Sequence, residues 1–193
     1  GDYHETMNYA LGMATEPGST FKLASAIALI EDGFVDIDDT IDVSGGQFTY
    51  SGITIKDSHQ GLGKISVKHA FEISSNVAFA KLITKYYKKK PDQFSARLKS
   101  MHLDKPTGIA IPGEPNPLIK DPKRSDWWKT TLPFMSIGYE ELVTPLQTLV
   151  LYNAVANNGT MVKPMIVKEV RSNGKTISKY NTEILVDSIC SQE

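Results

Sequence analysis

A stretch with neither Gly nor Pro, from Thr20 to Asp32, constrains the fold of this chain more than any other feature. It follows the dipeptide Pro17-Gly18, which is typical of a turn, and it stops at Gly33, a residue type that often ends helices. Its apolar residues recur at helical spacing and cover more than one face: Phe21, Leu23, Ala24, Ile27, Ala28 and Ile30. The sequence therefore predicts a helix that opens at Ser19 and is buried on most sides.

Composition narrows the class of protein. The chain has 193 residues, 40% hydrophobic and 22% charged, which is ordinary for a globular protein and favours a single domain. With 21 basic and 22 acidic residues the net charge is −1, so nothing electrostatic favours nucleic-acid binding. The one cysteine, Cys190, allows no internal disulfide, and no apolar run approaches the roughly 18–20 residues of a membrane helix. Because the chain starts without Met and stops soon after an apolar run, we expect a piece of a longer protein.

Four further helices are predicted, over residues 66–73, 77–87, 91–101 and 144–159. Their starts carry residues typical of helix N-termini: Ser66 as a cap, Pro91 at a first position, and Thr144-Pro145 as cap and first position. The tripeptide Ser74-Ser75-Asn76 interrupts the first pair.

The predicted strands are short. Residues 7–13 form one candidate, and Ile53-Thr54-Ile55 is the best one within residues 34–64, which otherwise look like loops. Asn173-Gly174 predicts a two-residue hairpin turn within residues 165–180. Residues 103–135, rich in Pro and Gly, are predicted to form a long connection.

Ser19 and Lys22 are the first candidate for catalysis. Three residues apart on a helix, they lie on the same face. A serine hydroxyl becomes a nucleophile when a neighbour takes its proton, and a lysine does so once burial lowers its pKa. The alternative is an N-cap serine beside a surface lysine. The chain's second S-x-x-K, Ser172 to Lys175, falls in the predicted hairpin turn, so we assign it no role.

Ser74-Ser75-Asn76 is the second candidate. The spacing points Ser74 and Asn76 the same way from a loop, while Ser75 points elsewhere. A second hydroxyl near Lys22 would relay a proton to a leaving group, and the Asn76 amide would donate to a substrate carbonyl and accept from Lys22. The alternative is a helix-capping cluster, since Ser and Asn favour such positions.

Together the two motifs resemble the signature of penicillin-binding proteins and serine β-lactamases, in which S-x-x-K is followed by a serine–asparagine motif and by K-T-G. Residues 16–22, EPGSTFK, resemble the active-site segment of class B penicillin-binding proteins, the transpeptidases that cross-link peptidoglycan. Ser74-Ser75-Asn76-Val77 matches their second motif. Residues 107–114 and 135–159 resemble later segments of the same domain, and the division-specific, FtsI-type branch is the most similar.

The resemblance implies roles for these residues. Ser19 would be the nucleophile that a stem peptide or a penicillin acylates, and Lys22 its general base. Ser74 and Asn76 would relay protons and orient substrate. One oxyanion donor would be the backbone N–H of Ser19, and the other would come from a strand after K-T-G. The sequence contains no K-T-G, the nearest match being Lys175-Thr176-Ile177.

The resemblance also implies the fold and the setting. We expect an α+β, mostly helical, partial penicillin-binding fold, similar to serine β-lactamases, that lacks much of its central antiparallel sheet. Residues 1–193 would be part of one transpeptidase domain, with its hairpin at about 165–180 and without membrane anchor or pedestal domain. The intact protein would be anchored in the inner membrane with this domain outside the cytoplasm, and the fragment itself would be soluble.

The implied partners are peptidoglycan stem peptides, β-lactam antibiotics and other cell-wall or division proteins. No metal, organic cofactor or nucleic acid is expected.

Two alternatives stay open. One is a serine β-lactamase, although the class A pattern E-x-x-L-N is absent from the sequence. The other is a non-catalytic penicillin sensor or interaction module. We expect the intact protein to react with penicillin at Ser19, and this chain to react poorly without the K-T-G strand.

Overall fold

The computed structural model describes residue 2 and residues 6–59 and 62–192, which form seven α-helices and eight short strands. The helices are α1 (Tyr9–Gly12), α2 (Lys22–Glu31), α3 (Val67–Glu72), α4 (Asn76–Tyr87), α5 (Pro91–Ser100), α6 (Thr131–Met135) and α7 (Pro145–Ala156). The strands are β1 (Thr40–Asp42), β2 (Gln47–Tyr50), β3 (Ile53–Lys56), β4 (Lys64–Ser66), β5 (Met161–Val162), β6 (Glu169–Ser172), β7 (Lys175–Lys179) and β8 (Ile184–Val186). They pair antiparallel as β1–β4, β2–β3, β5–β8 and β6–β7. None of the helices in these residues combines the length and hydropathy of a membrane span.

The helix α2 lies at the centre of the main hydrophobic core, as its composition predicts. All residues from Ala24 to Leu29 are buried, and α2 packs against α3, α4 and α5. Two hydrogen bonds tie it to distant elements: the Tyr87 hydroxyl donates to the carbonyl of Ala28 at 2.8 Å, and the Ser25 hydroxyl donates to the carbonyl of Ser136 at 2.9 Å. Because a close-packed core resists displacement, the N-terminal end of α2 is held in a fixed position.

The first turn of the predicted helix differs from the expectation. Gly18–Phe21 forms a 3-10 turn, and α2 proper begins at Lys22, whose backbone N–H donates to the carbonyl of Ser19. A 3-10 helix has three residues per turn, so residues three apart eclipse each other. Ser19 therefore stands directly above Lys22 along the helix axis, a closer alignment than an α-helical turn gives.

The interruption predicted between α3 and α4 is confirmed. Ser66 caps α3 by accepting from the backbone N–H of His69 at 3.0 Å. Ser74 then turns the chain with a positive φ of 57°, and Ser75 caps α4 by accepting from the N–H of Ala78 at 3.0 Å. The cap is thus the middle residue of the tripeptide, which leaves its two outer side chains available for other contacts.

The strand predicted over residues 7–13 is wrong. Tyr9–Gly12 forms α1, a single helical turn in which the carbonyl of Asn8 accepts from the N–H groups of Leu11 and Gly12 at 3.1 and 2.6 Å. Leu11 is the one buried residue of α1, so the segment lacks the alternating burial of a strand.

The helix α7 and the β6–β7 hairpin follow local signals, whereas α6, β5 and β8 were not predicted. Thr144 and Gln147 form a reciprocal capping box at the start of α7. Asn173 and Gly174 have φ of 50° and 74°, as a type I′ hairpin between β6 and β7 requires. The last five residues of the predicted long connection form α6 instead. Pro133 lies in its first turn, where a missing backbone N–H removes no helical hydrogen bond.

Candidate active site

The amine of Lys22 lies at the centre of a cluster drawn from two distant parts of the chain. Its Nζ is 2.8 Å from Ser19 Oγ, 2.8 Å from both the Oγ and the carbonyl oxygen of Ser74, and 2.6 Å from Asn76 Oδ1. Ser74 and Asn76 are 52 and 54 residues away in sequence. The structure therefore brings all four predicted site residues together.

Burial changes the acid–base character of Lys22. The residue is only 1% exposed, which contradicts the alternative of a surface lysine. Loss of hydration disfavours the charged ammonium and lowers its pKa from 10.5 to about 8, while the negative charge of Asp57 acts in the opposite direction. At neutral pH about one Lys22 in ten is then the free amine, a far larger fraction than for an exposed lysine.

The four oxygens around Nζ accommodate a neutral amine as well as an ammonium. An ammonium has three donors, but four acceptor atoms surround Nζ. A neutral amine donates twice, to the Ser74 carbonyl and Asn76 Oδ1, which can only accept. Its lone pair is left for a hydroxyl, either that of Ser19 or that of Ser74. This geometry allows one amine to take a proton from the first hydroxyl and pass it to the second.

Ser19 is exposed to solvent, but hydrogen bonds fix the backbone on both sides of it. The N–H of Gly18 donates to the carbonyl of Gly138 at 2.9 Å, and the Tyr152 hydroxyl donates to the carbonyl of Thr20 at 3.0 Å. Gly138 has a φ of 84°, and a Cβ there would overlap the carbonyl of Gly18. Ser19 Oγ therefore has a fixed position on an open face, as a nucleophile needs.

The three side chains of the second motif point in the directions that the sequence predicted. Ser74 and Asn76 face Lys22, whereas Ser75 is buried and its hydroxyl donates to Asp57 Oδ2 at 2.8 Å. Asp57 is a residue that the sequence analysis missed. Its position directly after the strand candidate Ile53-Thr54-Ile55 was the available signal, and many loop aspartates share it.

The second S-x-x-K of the chain provides a comparison. Ser172 and Lys175 are paired partners across the β6–β7 hairpin, and both are exposed. The burial that surrounds Lys22 is absent there, so the same four-residue pattern has different surroundings in the two places.

No metal site is evident in the part of the chain that the structure describes, where no three His, Cys, Asp or Glu residues are grouped to bind an ion. An apolar groove of about 480 Å³ lies along α2 between Leu23, Ile30 and Phe71, and Ser19 and Lys22 do not line it.

Sequence comparisons identify relatives of this chain. The profile of the family described as "Penicillin binding protein transpeptidase domain" matches residues 2–193. Penicillin-binding protein PbpB of Mycobacterium tuberculosis is 32% identical over 162 residues, 83% of this chain and 23% of the relative. PbpB of Mycolicibacterium smegmatis is 29% identical over 173 residues, 89% of this chain and 26% of the relative. The chain thus spans about a quarter of the length of these relatives.

Solved structures give the same result for the fold. Penicillin-binding protein 3 of M. tuberculosis, in a complex with aztreonam, superposes with a TM-score of 0.81 at 28% identity, covering 97% of this chain and 41% of that one. A peptidoglycan glycosyltransferase from Burkholderia ambifaria superposes with a TM-score of 0.78 at 23% identity, covering 97% and 54%. The predicted fold class, a mostly helical part of the penicillin-binding fold, is confirmed.

Proposed function

This chain belongs to the penicillin-binding protein transpeptidase family, and from that premise we propose that it carries the serine nucleophile of a peptidoglycan D,D-transpeptidase. The observation that carries the proposal is the buried Lys22 amine 2.8 Å from Ser19 Oγ. A buried amine with a pKa of about 8 is a competent general base near neutral pH. Neither the capping alternative nor the surface-lysine alternative accounts for this contact.

The proposed reaction has two steps. Lys22 Nζ takes the proton of Ser19 as Oγ attacks the carbonyl carbon of the penultimate D-alanine, and a C–O bond forms. The C–N bond to the terminal D-alanine then breaks, and the Ser74 hydroxyl passes a proton from Lys22 to the leaving nitrogen. In the second step an amine of a neighbouring stem peptide attacks the ester carbonyl carbon, so that a C–N bond forms and the C–O bond to Ser19 breaks. The proton that this amine loses returns through Lys22 to Ser19 Oγ.

The amide of Asn76 would orient the substrate. Its Oδ1 is occupied by Lys22 and its Nδ2 by the carbonyl of Lys56 at 3.1 Å. An amide nitrogen has two N–H donors, so one remains for a peptide carbonyl. We propose peptidoglycan stem peptides as substrates and β-lactams as acylating inhibitors of Ser19. The M. tuberculosis relative has been solved with aztreonam and with ampicillin, which supports the second part.

The setting of the chain is also a proposal. Residues 1–193 would form the helical part of one transpeptidase domain, with the rest of the domain supplying a K-T-G strand and the second oxyanion donor. The likeness to the division-specific branch supports a role in cell division alongside other cell-wall proteins. It likewise supports anchoring of the complete protein in the inner membrane, with this domain outside the cytoplasm.

Reaction with a fluorescent penicillin tests the nucleophile. Tryptic digestion releases residues 1–22 as one peptide, because Lys22 is the first basic residue, so mass spectrometry can locate an adduct on Ser19. We expect slow labelling of this chain at high penicillin concentration, and faster labelling of a longer form that includes a K-T-G strand. Ser19→Ala should abolish the adduct. Ser172→Ala is the matched control, since it removes the serine of the exposed S-x-x-K and should change nothing.

The outcomes separate the competing functions. A stable adduct on Ser19 supports the transpeptidase. Rapid hydrolysis of the penicillin with release of product would instead identify a β-lactamase. If neither form gives an adduct, the proposal is wrong and a non-catalytic sensor or interaction module remains.

A further inference from the structure

The side chain of Asp57 contacts the second motif and the residue that follows it. It directly follows β3, and its own N–H donates to the carbonyl of Gly46 at 3.0 Å, so its backbone is fixed. Its two carboxylate oxygens take different partners. Oδ2 accepts from the Ser75 hydroxyl at 2.8 Å, and Oδ1 accepts from the backbone N–H of Val77 at 3.0 Å. One carboxylate thus holds both the middle of the motif and the first turn of α4.

The residue before Asp57 fixes the amide of Asn76. The carbonyl of Lys56 accepts from Asn76 Nδ2 at 3.1 Å. A carbonyl can only accept, so the amide nitrogen must face Lys56 and the amide oxygen must face Lys22, where it lies 2.6 Å from Nζ. The end of β3 therefore orients two of the three residues of the motif.

We propose that Asp57 is a positioning residue for the Ser19–Lys22 pair, which holds Ser75 and the start of α4 so that Ser74 and Asn76 face the Lys22 amine. This inference rests on the proposed function for its catalytic consequence, but not for its geometry. Ser74 has a positive φ, a conformation that residues other than glycine adopt at a cost, so it needs support from its surroundings. The carboxylate of Asp57 provides that support through its hydrogen bond to Ser75, the residue that follows Ser74.

The charge of Asp57 has a second effect. Burial drives Lys22 toward the neutral amine, and the nearby carboxylate opposes that change. Asp57 is the charged group whose field raises the pKa of Lys22. The position and the charge of the same residue thus act on the base in two separable ways.

Two substitutions separate them. Asp57→Asn keeps an acceptor for the Val77 N–H, and its amide nitrogen can donate to Ser75 Oγ, so the geometry survives while the charge is lost. Asp57→Ala removes both. Asp42→Asn is the matched control, because Asp42 also accepts from a backbone N–H, that of Ser44 at 2.7 Å, and the change removes the same charge.

The first measurement needs no catalysis. In the chain labelled with carbon-13 at lysine Cε, the Lys22 signal is identified by its loss in Lys22→Arg, and its titration midpoint is followed by NMR. We expect the midpoint to fall by about one pH unit in Asp57→Asn and to stay unchanged in Asp42→Asn. An unchanged midpoint in Asp57→Asn would overturn the electrostatic part of the inference.

The second measurement is the rate of penicillin reaction at Ser19 against pH. In Asp57→Asn the profile should move to lower pH by the same interval, with its plateau retained within about threefold. In Asp57→Ala the plateau itself should fall at least tenfold; a plateau equal to that of the unaltered chain would refute the positioning role. If Asp57→Ala fails to fold, Asp57→Ser replaces it, because a single hydroxyl cannot hold both Ser75 and the Val77 N–H, and an unchanged plateau in that variant would refute the positioning role. Should Lys22 shift as expected while no chain reacts at Ser19, the electrostatic part of the inference stands and the proposed function fails.

Discussion

Glu141 offers a quantitative test of the packing around the active site. It lies between α6 and α7 and is completely buried, and neither carboxyl oxygen has a hydrogen-bond partner within the described residues. Burial raises its pKa well above the usual value of 4.5, and the negative charges of Glu140 and Glu16 add to this, while Lys120 opposes it. The carboxyl group is therefore held in its protonated form when the protein is folded.

The consequence is a free energy of unfolding that falls as pH rises. Above pH 4.5 the unfolded chain loses the Glu141 proton and the folded protein keeps it, so the folded state binds more protons. Each pH unit then lowers the free energy of unfolding by about 1.4 kcal/mol, until the folded-state carboxyl ionises. Every pH unit of this interval therefore removes a sizeable share of a typical domain stability of roughly 5–15 kcal/mol.

Glu141→Gln removes the titration and keeps the shape of the side chain. Because the amide also lacks a partner, the variant has a free energy of unfolding that is shifted by a constant amount. The quantity to compare is therefore the change of the free energy of unfolding with pH. Urea unfolding of both proteins at pH 5, 6 and 7, followed by tryptophan fluorescence, measures it. We expect the free energy of unfolding of the variant, minus that of the unaltered chain, to rise with pH by up to about 1.4 kcal/mol per pH unit.

Glu140→Gln is the matched control. The carboxylate of Glu140 accepts from Lys120 Nζ at 2.8 Å and from the Thr131 hydroxyl at 2.7 Å. Its charge only adds to the larger effect of burial on Glu141, so its loss should leave the downward slope in place. If Glu141→Gln and the unaltered chain show parallel pH dependence, the reasoning about Glu141 is refuted.

Three further predictions concern the site and its supports. The rate of penicillin reaction should rise about tenfold per pH unit and level off near pH 8, where Lys22 loses its proton; a rate that is flat from pH 6 to 9 would exclude this base. Gly138→Ala should lower the free energy of unfolding by at least about 2 kcal/mol, because its Cβ would overlap the carbonyl of Gly18. Gly33→Ala, which has a similar φ and open space, should cost only about 1 kcal/mol in the same urea titration. Thr144→Ala should cost about 1–2 kcal/mol by removing the capping box of α7, measured as a lower urea midpoint.

The elements that the sequence predicted correctly are those with local causes. The cap and proline at Thr144-Pro145 begin α7, and Asn173-Gly174 adopts the backbone angles that its turn needs. The residues 7–13, by contrast, have no clear period. Four of them form α1, which packs against α7, a partner too distant in sequence for any local pattern to reveal.

The two copies of S-x-x-K show why the sequence pattern alone does not identify the site. The spacing alone predicts that a serine and a lysine come close, and it does so equally for Ser19 and Ser172. What distinguishes them is that Lys22 begins a helix whose residues are buried from Ala24 to Leu29, while Lys175 lies on an exposed hairpin. The apolar run after Lys22 is visible in the sequence, and so the correct copy could be chosen.

The contribution of Asp57 has no comparable signature. Its carboxylate reaches Ser75 only because β2 and β3 form a hairpin that packs against α4, a contact between segments 18 residues apart. The pKa of Lys22 then depends on a balance between desolvation by α2 and its neighbours and the field of that carboxylate, and the two terms come from different parts of the fold. A base of this kind is tuned by packing, so a substitution at Asp57 changes its proton affinity without touching either residue of the S-x-x-K pair.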